Sequence, residues 1–295
     1  MLWHDRRGRF SPLRAGTLAL LLLPILNLTW MSLSGSLMEA AIADPVDGLG
    51  PRPVNEAIHY VGLWAVRILV ATLLITPLRR VAKLPKLVDV RRMIGVAAAL
   101  YIALHFTLYI VDQSYDLVHV ASEIVLRIYL TIGFVALLGL FALAVTSNDA
   151  MVRRLGGIRW RRLHQFAYPT TLLALLHYFM QSKQDVFQPT VLAGIFGWLM
   201  LYRIAHWTLP QRFFRADGEL ALWLIGVLGL VTALLAVLFE AFGLGYSFGV
   251  SPLMVLEFNF AFDAGIRPGW YVLLFGAGML AIALARLKPE PAANT

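Results

Sequence analysis

The sequence predicts an all-α, multi-pass membrane protein, and three observations carry that prediction. Of its 295 residues, 59% are hydrophobic and only 14% charged, where a soluble domain carries about 25% charged residues. Apolar runs long enough to cross a bilayer, about 17–25 residues each, recur along the chain. The 25 lysines and arginines fall mostly in alternate connecting segments, and acids gather in the others.

The apolar runs occupy 13–33, 58–78, 93–111, 124–146, 164–181, 191–208, 220–242 and 269–285, which gives eight expected spans. The fifth, sixth and eighth are short but within range. Arg6, Arg7, Arg9 and Arg14 precede the first span. Arg79, Arg80, Lys83, Lys86, Arg91 and Arg92 separate the second from the third. Arg153, Arg154, Arg159, Arg161 and Arg162 precede the fifth, and Arg203, Arg212, Arg215, Arg286 and Lys288 complete the set. Glu39, Asp44, Asp47, Asp112, Asp116, Asp185 and Asp263 belong to the opposite side. The positive-inside rule then puts both termini in the cytoplasm. AIAD at 41–44 resembles a secretory cleavage site, but the preceding run is long for a signal peptide. The first helix is therefore expected to be retained, with Arg6 and Arg7 as its charged flank.

Composition also excludes chemistry. The chain has no cysteine, which removes disulfides, thiolate metal sites, iron–sulfur clusters and covalent c-type haem. The formal charge of +8 reads as membrane topology rather than a nucleic-acid surface, so the expected surroundings are membrane lipids.

Loop 34–57, with Pro45, Gly48, Gly50, Pro51 and Pro53, reads as irregular outer chain. The second span carries His59 near its outer end and Arg67 midway, and Pro77 is expected to close its inner end. His59 and Arg67 are candidate quinone-site residues on polarity and depth. His105 lies near the outer end of the third span. The fifth carries His164 and His177, thirteen residues apart, or about 20 Å along one helix. That places one imidazole near each face, an arrangement suited to two stacked haems. Ionisable groups inside a span are costly and point to function.

The third and fifth spans run the same way, so His105 and His177 come from different helices at matched depth. That is the geometry of bis-histidine ligation of one haem iron. His164 has no histidine opposite it. Arg91 and Arg92 stand there instead, suited to gripping haem propionates rather than binding iron. Pro169, between the two histidines, is a candidate kink. His4, His119 and His206 receive no function, and the seventh and eighth spans contain no histidine. The loop between those two spans, GLGYSFGVSPLMVLEFNFAFDAGIRPGW, reads as a re-entrant segment or docking surface.

With these residues in place the chain resembles the MsrQ family, formerly YedZ: haem-binding membrane subunits of bacterial periplasmic methionine sulfoxide reductase systems, within the ferric-reductase-like transmembrane superfamily. The resemblance covers roughly 44–208. It rests on ADPV ending at Val46, His59 with Gly62, ATLLITPLRR at 71–80, RRMIG at 91–95, LHFTLY at 104–109, RLHQFAY at 162–168 and LLHYF at 175–179.

The resemblance implies a six-helix haem-binding bundle in the bacterial inner membrane, here followed by two extra C-terminal spans. The expected divisions are 1–57, a haem-binding core at 58–208, and an extension at 209–295. It implies haem b, one or two per chain, with His105 and His177 as the outer ligands, His164 linked to a second haem, and Arg91 near it. It further implies electron transfer from the quinone pool to a periplasmic molybdopterin partner, MsrP, that reduces oxidised methionine in proteins. FMN has been associated with members. The chain would be an electron-transfer subunit rather than the catalytic one. No strand–GxGxxG–helix unit for a nicotinamide domain is present, so reducing equivalents come from a lipid-soluble carrier or a separate cytosolic flavin reductase. The alternatives are a stand-alone transmembrane ferric reductase and a histidine-relay transporter, which would need paired acids within the spans.

Overall fold

A computed structural model of the chain describes residues 3, 8–39, 52–182, 185–262 and 265–287. Arg6, Arg7, His4, the AIAD stretch, Pro45–Pro51, Asp263 and Lys288 lie outside the described residues. The described chain is all-α: α1 (Pro12–Glu39), α2 (Pro53–Val81), α3 (Val88–Asp112), α4 (Leu117–Leu126), α5 (Ile128–Val145), α6 (Asp149–Leu155), α7 (Gly157–His164), α8 (Ala167–Gln181), α9 (Phe187–Thr208), α10 (Leu222–Phe248), α11 (Pro252–Phe258) and α12 (Pro268–Ala285). Six of them, α1, α2, α3, α5, α10 and α12, are long and apolar enough to cross a membrane. Two short spans expected from sequence correspond to α8, of 15 residues, and α9, of 22 residues.

The chain forms two compact units. One comprises residues up to Thr72 with Asp89–Gln181, and the other Leu73–Val88 with everything from Ser182 onward. In the first, α5 packs along α8, and Tyr101 of α3 donates its hydroxyl to the Leu21 carbonyl of α1 at 2.6 Å. That carbonyl lies just before Pro24, where a proline loosens the hydrogen-bond ladder. In the second, α9, α10 and α12 pack together around Ala233, Ala236 and Val272. Gly229 on α10 and Gly276 on α12 let the two backbones meet: a Cβ on Gly276 would lie 2.5 Å from the Gly229 Cα. Small residues permit such contacts between membrane helices.

Backbone chemistry corrects several expectations. Pro77 does not end α2, which continues to Val81. Proline lacks the N–H that would serve the carbonyl four residues earlier, which is Leu73. That carbonyl instead accepts from Arg203 Nη2 at 2.5 Å, while Arg203 Nη1 donates to Leu199 at 2.7 Å. Arg203 is therefore a buried residue of α9, not a cytoplasmic loop charge.

The expected span 164–181 is not one helix. Pro169 cannot serve the Gln165 carbonyl, which accepts from the Tyr168 N–H at 3.0 Å instead. The helix breaks at 165–166, so His164 ends α7 while His177 belongs to α8. The span 124–146 likewise divides at Arg127, whose backbone is extended. Its guanidinium pairs with Glu123 at 2.5 Å and donates to the Tyr129 hydroxyl at 3.1 Å. His119 lies in α4 rather than in a loop, its N–H accepted by the Asp116 cap at 2.9 Å.

In the second unit the expected loop after residue 242 is partly helix, because α10 runs to Phe248 and α11 follows. Glu240, buried on α10, pairs with Arg267. Trp270 donates to the Asn259 carbonyl at 2.7 Å, tying the loop to the start of α12.

Candidate functional site

The first unit brings His105 of α3 and His177 of α8 face to face. Their ring centroids are 6.4 Å apart and their planes nearly perpendicular, at 81°. His105 Nδ1 lies 2.9 Å from the Ile58 carbonyl of α2, and His177 Nδ1 lies 2.8 Å from the Tyr129 carbonyl of α5. A carbonyl oxygen only accepts, so each Nδ1 carries the hydrogen and each Nε2 keeps a lone pair. Each ring also backs onto a glycine. A Cβ on Gly62 would stand 2.8 Å from His105 Nδ1, and one on Gly133 would stand 2.7 Å from His177 Nδ1. Phe106 of α3 and Phe134 of α5, the chain neighbours of His105 and Gly133, meet with ring centres 5.9 Å apart.

This arrangement fits a metal shared between two imidazoles. An imidazole nitrogen binds a metal at about 2 Å, and the ring centre lies about 1.1 Å beyond the nitrogen, so two ring centres flanking one ion stand about 6 Å apart. Among the described residues no cluster of three or more His, Cys, Asp or Glu forms a conventional metal site. A haem iron, whose macrocycle supplies its own four nitrogens, would need only two imidazoles, which His105 and His177 could supply. Second-shell carbonyls of this kind fix the tautomer and raise ligand basicity.

The inner histidine is held differently. His164 Nδ1 donates to the Trp160 carbonyl at 3.0 Å, and its Nε2 lies 3.1 Å from Ser147 Oγ. Its ring stacks on Trp160 with centroids 3.8 Å apart, and Trp160 Nε1 donates to the Thr146 carbonyl at 2.8 Å. Ser147 Oγ also donates to the Leu143 carbonyl at 2.7 Å, so with Nδ1 donating, His164 Nε2 keeps a lone pair beside that hydroxyl. Arg91 and Arg92 are within electrostatic reach of His164, and Arg92 is paired with Asp149 at 2.7 Å. The turn that delivers α7 requires Gly156, whose φ of +75° most other residues avoid.

His59 is exposed on α2, and the Arg67 guanidinium lies 4.9 Å above the Trp64 ring. Eight residues along one helix separate them by about 12 Å, which places them at different depths. His206 is nearly buried at the end of α9, with Nδ1 donating to the Tyr202 carbonyl at 3.1 Å and Nε2 lying 3.4 Å from Glu219 Oε1. Tyr202 also donates to Glu219, at 2.7 Å, beside a cavity of about 860 Å³ lined by Arg80, Lys83, Trp207 and Phe214. Sequence reasoning missed this cluster because Glu219 is far from both partners in turn geometry. Nothing in the sequence around Gly133 marks it as the residue that backs His177.

A family model described as "Ferric reductase like transmembrane component" matches residues 61–175. The protein-methionine-sulfoxide reductase heme-binding subunit MsrQ of Rhodospirillum rubrum is 40% identical over 171 residues, covering 58% of this chain and 82% of that protein. The subunit of the same name from Xanthomonas campestris pv. campestris strain 8004 is 43% identical over 159 residues, covering 54% and 72%. That of Caulobacter vibrioides is 34% identical over 181 residues, covering 61% and 86%. No solved structure matches. The matched segments take in a large part of each relative, and together with the helical architecture and the paired histidines they identify the chain as a member of the MsrQ family of ferric-reductase-like membrane proteins.

Proposed function

We propose that the chain is the electron-transfer membrane subunit of a protein-methionine-sulfoxide reductase system, with His105 and His177 holding one b-type haem. The observation that carries this reading is the facing pair itself: two imidazoles 6.4 Å apart, each tied through Nδ1 to a backbone carbonyl. The haem, when bound, supplies one-electron ferric–ferrous chemistry. The chain supplies two fixed Nε2 lone pairs and close-packed glycines behind the rings. Fixed ligands need little rearrangement when the charge changes.

In this reading electrons come from the quinone pool and leave to a periplasmic, MsrP-like molybdopterin enzyme that reduces methionine sulfoxide. The relatives' names, which describe a subunit of a methionine-sulfoxide reductase, support a separate catalytic partner. His59 and Arg67 remain the candidate quinone contacts, FMN a candidate second cofactor, and a cytosolic flavin reductase a candidate donor at the basic segment 153–162. The membrane is the bacterial inner membrane with both termini cytoplasmic, supported by the arginine-rich segments. The working divisions are the N-terminal helix and loop (1–57), the haem core (58–208) and the extension (209–295).

The test is a dithionite-reduced minus oxidised spectrum of the purified protein, expressed with ample haem, with haem measured per chain. Sharp low-spin b-type bands at one haem per chain are expected. A colourless protein would sink the proposal.

A further inference from the structure

The geometry points to Gly62 and Gly133 as positioning residues that set the strength of the two imidazole ligands. The inference rests on the reading of His105 and His177 as the ligand pair.

Each histidine hydrogen-bonds a carbonyl on a neighbouring helix, and each of those carbonyls stands four residues before a glycine. Ile58 precedes Gly62 on α2, and Tyr129 precedes Gly133 on α5. In an α-helix the Cα–Cβ bond tilts toward the N-terminus, so residues i and i+4 lie one above the other on one face. The side chain at i+4 therefore overhangs the carbonyl of residue i. That carbonyl already accepts one intrahelical N–H and keeps a second lone pair. Only a residue without Cβ at i+4 leaves that lone pair open to a ring approaching from another helix.

The distances agree with this account on both sides. A Cβ on Gly62 would stand 2.8 Å from His105 Nδ1 and 2.9 Å from Cε1, and one on Gly133 would stand 2.7 Å and 2.8 Å from the same atoms of His177. No ordinary contact is that short, so the imidazole would have to withdraw from the atom that carries its hydrogen bond. The same device on two different helix pairs, at the same spacing, is hard to ascribe to helix packing alone. Losing the bond lowers the basicity of the ring. A weaker donor favours ferrous over ferric iron, so the midpoint potential rises.

Gly139 provides the control. It lies on the same helix as Gly133, and a Cβ there would stand 2.6 Å from Thr170 Oγ1, an equal steric insult that touches no histidine. Gly62→Ala, Gly133→Ala and Gly139→Ala would be purified with wild type. Haem per chain, midpoint potential and the low-field electron paramagnetic resonance signal would be recorded. That signal follows the angle between the imidazole planes, 81° here.

Gly62→Ala and Gly133→Ala are expected to raise the potential, by up to about tenfold in the ferric-to-ferrous ratio or about 59 mV for one electron, and to move the resonance. Gly139→Ala is expected to leave both unchanged. Loss of haem from folded Gly62→Ala or Gly133→Ala, with haem kept by Gly139→Ala, supports the same conclusion. Wild-type potential and resonance in the first two overturns it, as do equal shifts, equal haem loss or equal misfolding in all three. His105→Ala and His177→Ala separate the two ideas. If they keep haem, the ligand reading fails; if they lose it while the glycine variants are silent, only this inference fails.

Discussion

The His105–His177 pair and His164 use the same chemical group in different ways. His105 and His177 each spend one nitrogen on a carbonyl and present the other to a shared space. His164 spends one nitrogen on Trp160, places the other against Ser147 and covers a face with the Trp160 indole. The first arrangement could share one metal between two lone pairs, whereas the second nitrogen of His164 meets a protein hydroxyl. Cations are likewise spent on protein partners, the buried Arg203 on two backbone carbonyls and the half-buried Arg267 on Glu240.

The comparison breaks most sharply at the ligands. His105→Ala or His177→Ala should abolish the b-type difference spectrum, while His164→Ala should retain at least the outer signal; haem per chain measured beside the spectrum decides it. If His164→Ala alone bleaches the protein, the assignment of roles is inverted. Next in size is Arg203→Ala, which orphans the Leu73 carbonyl beneath Pro77. A buried unsatisfied acceptor costs about 1–3 kcal/mol, so the thermal midpoint in detergent should fall without a change in haem spectrum.

Ser147→Ala sharpens the contrast from the other side by removing the hydroxyl beside His164 Nε2. It should cost about 1 kcal/mol or less and leave the outer spectrum untouched; a change in that spectrum would show that the two regions are coupled.

The smallest effect concerns Asp217. Arg215 donates to its carboxylate at 2.6 Å and 3.2 Å and Lys83 Nζ lies 3.0 Å away. Arg215 first, then Lys83, hold this carboxyl well below its usual range against partial burial. A depressed carboxyl adds stability above its unfolded pKa of about 3.9, and that stability is lost as pH falls toward the folded value. Asp217→Asn should therefore lower the thermal midpoint near neutral pH, by less than about 1 kcal/mol for so exposed a group. The gap from wild type should narrow in acid, and a gap independent of pH would rule the ion pair out as its cause.

Six of the eight expected spans correspond to helices long and apolar enough to cross a membrane, legible because bilayer thickness imposes run length. The matched depth of His105 and His177 was legible for the same reason, since rise per residue converts position into height. What escaped was decided by single backbone groups. Pro77 and Pro169 look alike in sequence, yet one is spanned by a helix and the other breaks one. The difference is Arg203, more than a hundred residues downstream, which serves the carbonyl of Leu73, while Gln165 is served only by a local turn. Similarly, nothing local distinguishes Gly133, which backs a histidine, from Gly139, which backs a threonine.

The Arg203 clamp has a consequence for how the protein is made. An arginine within an inserting helix is costly, and Arg203, five residues before the end of α9, has its carbonyl partner on α2, synthesised long before. Lateral release of α9 from the insertion machinery is thus favoured only when α2 is already in the bilayer and close by. The carbonyl that Pro77 leaves exposed acts as a receptor, and the later helix arrives as its ligand. Biogenesis of the second unit acquires an order, with the earlier segment acting as a template that a misinserted α2 could not provide.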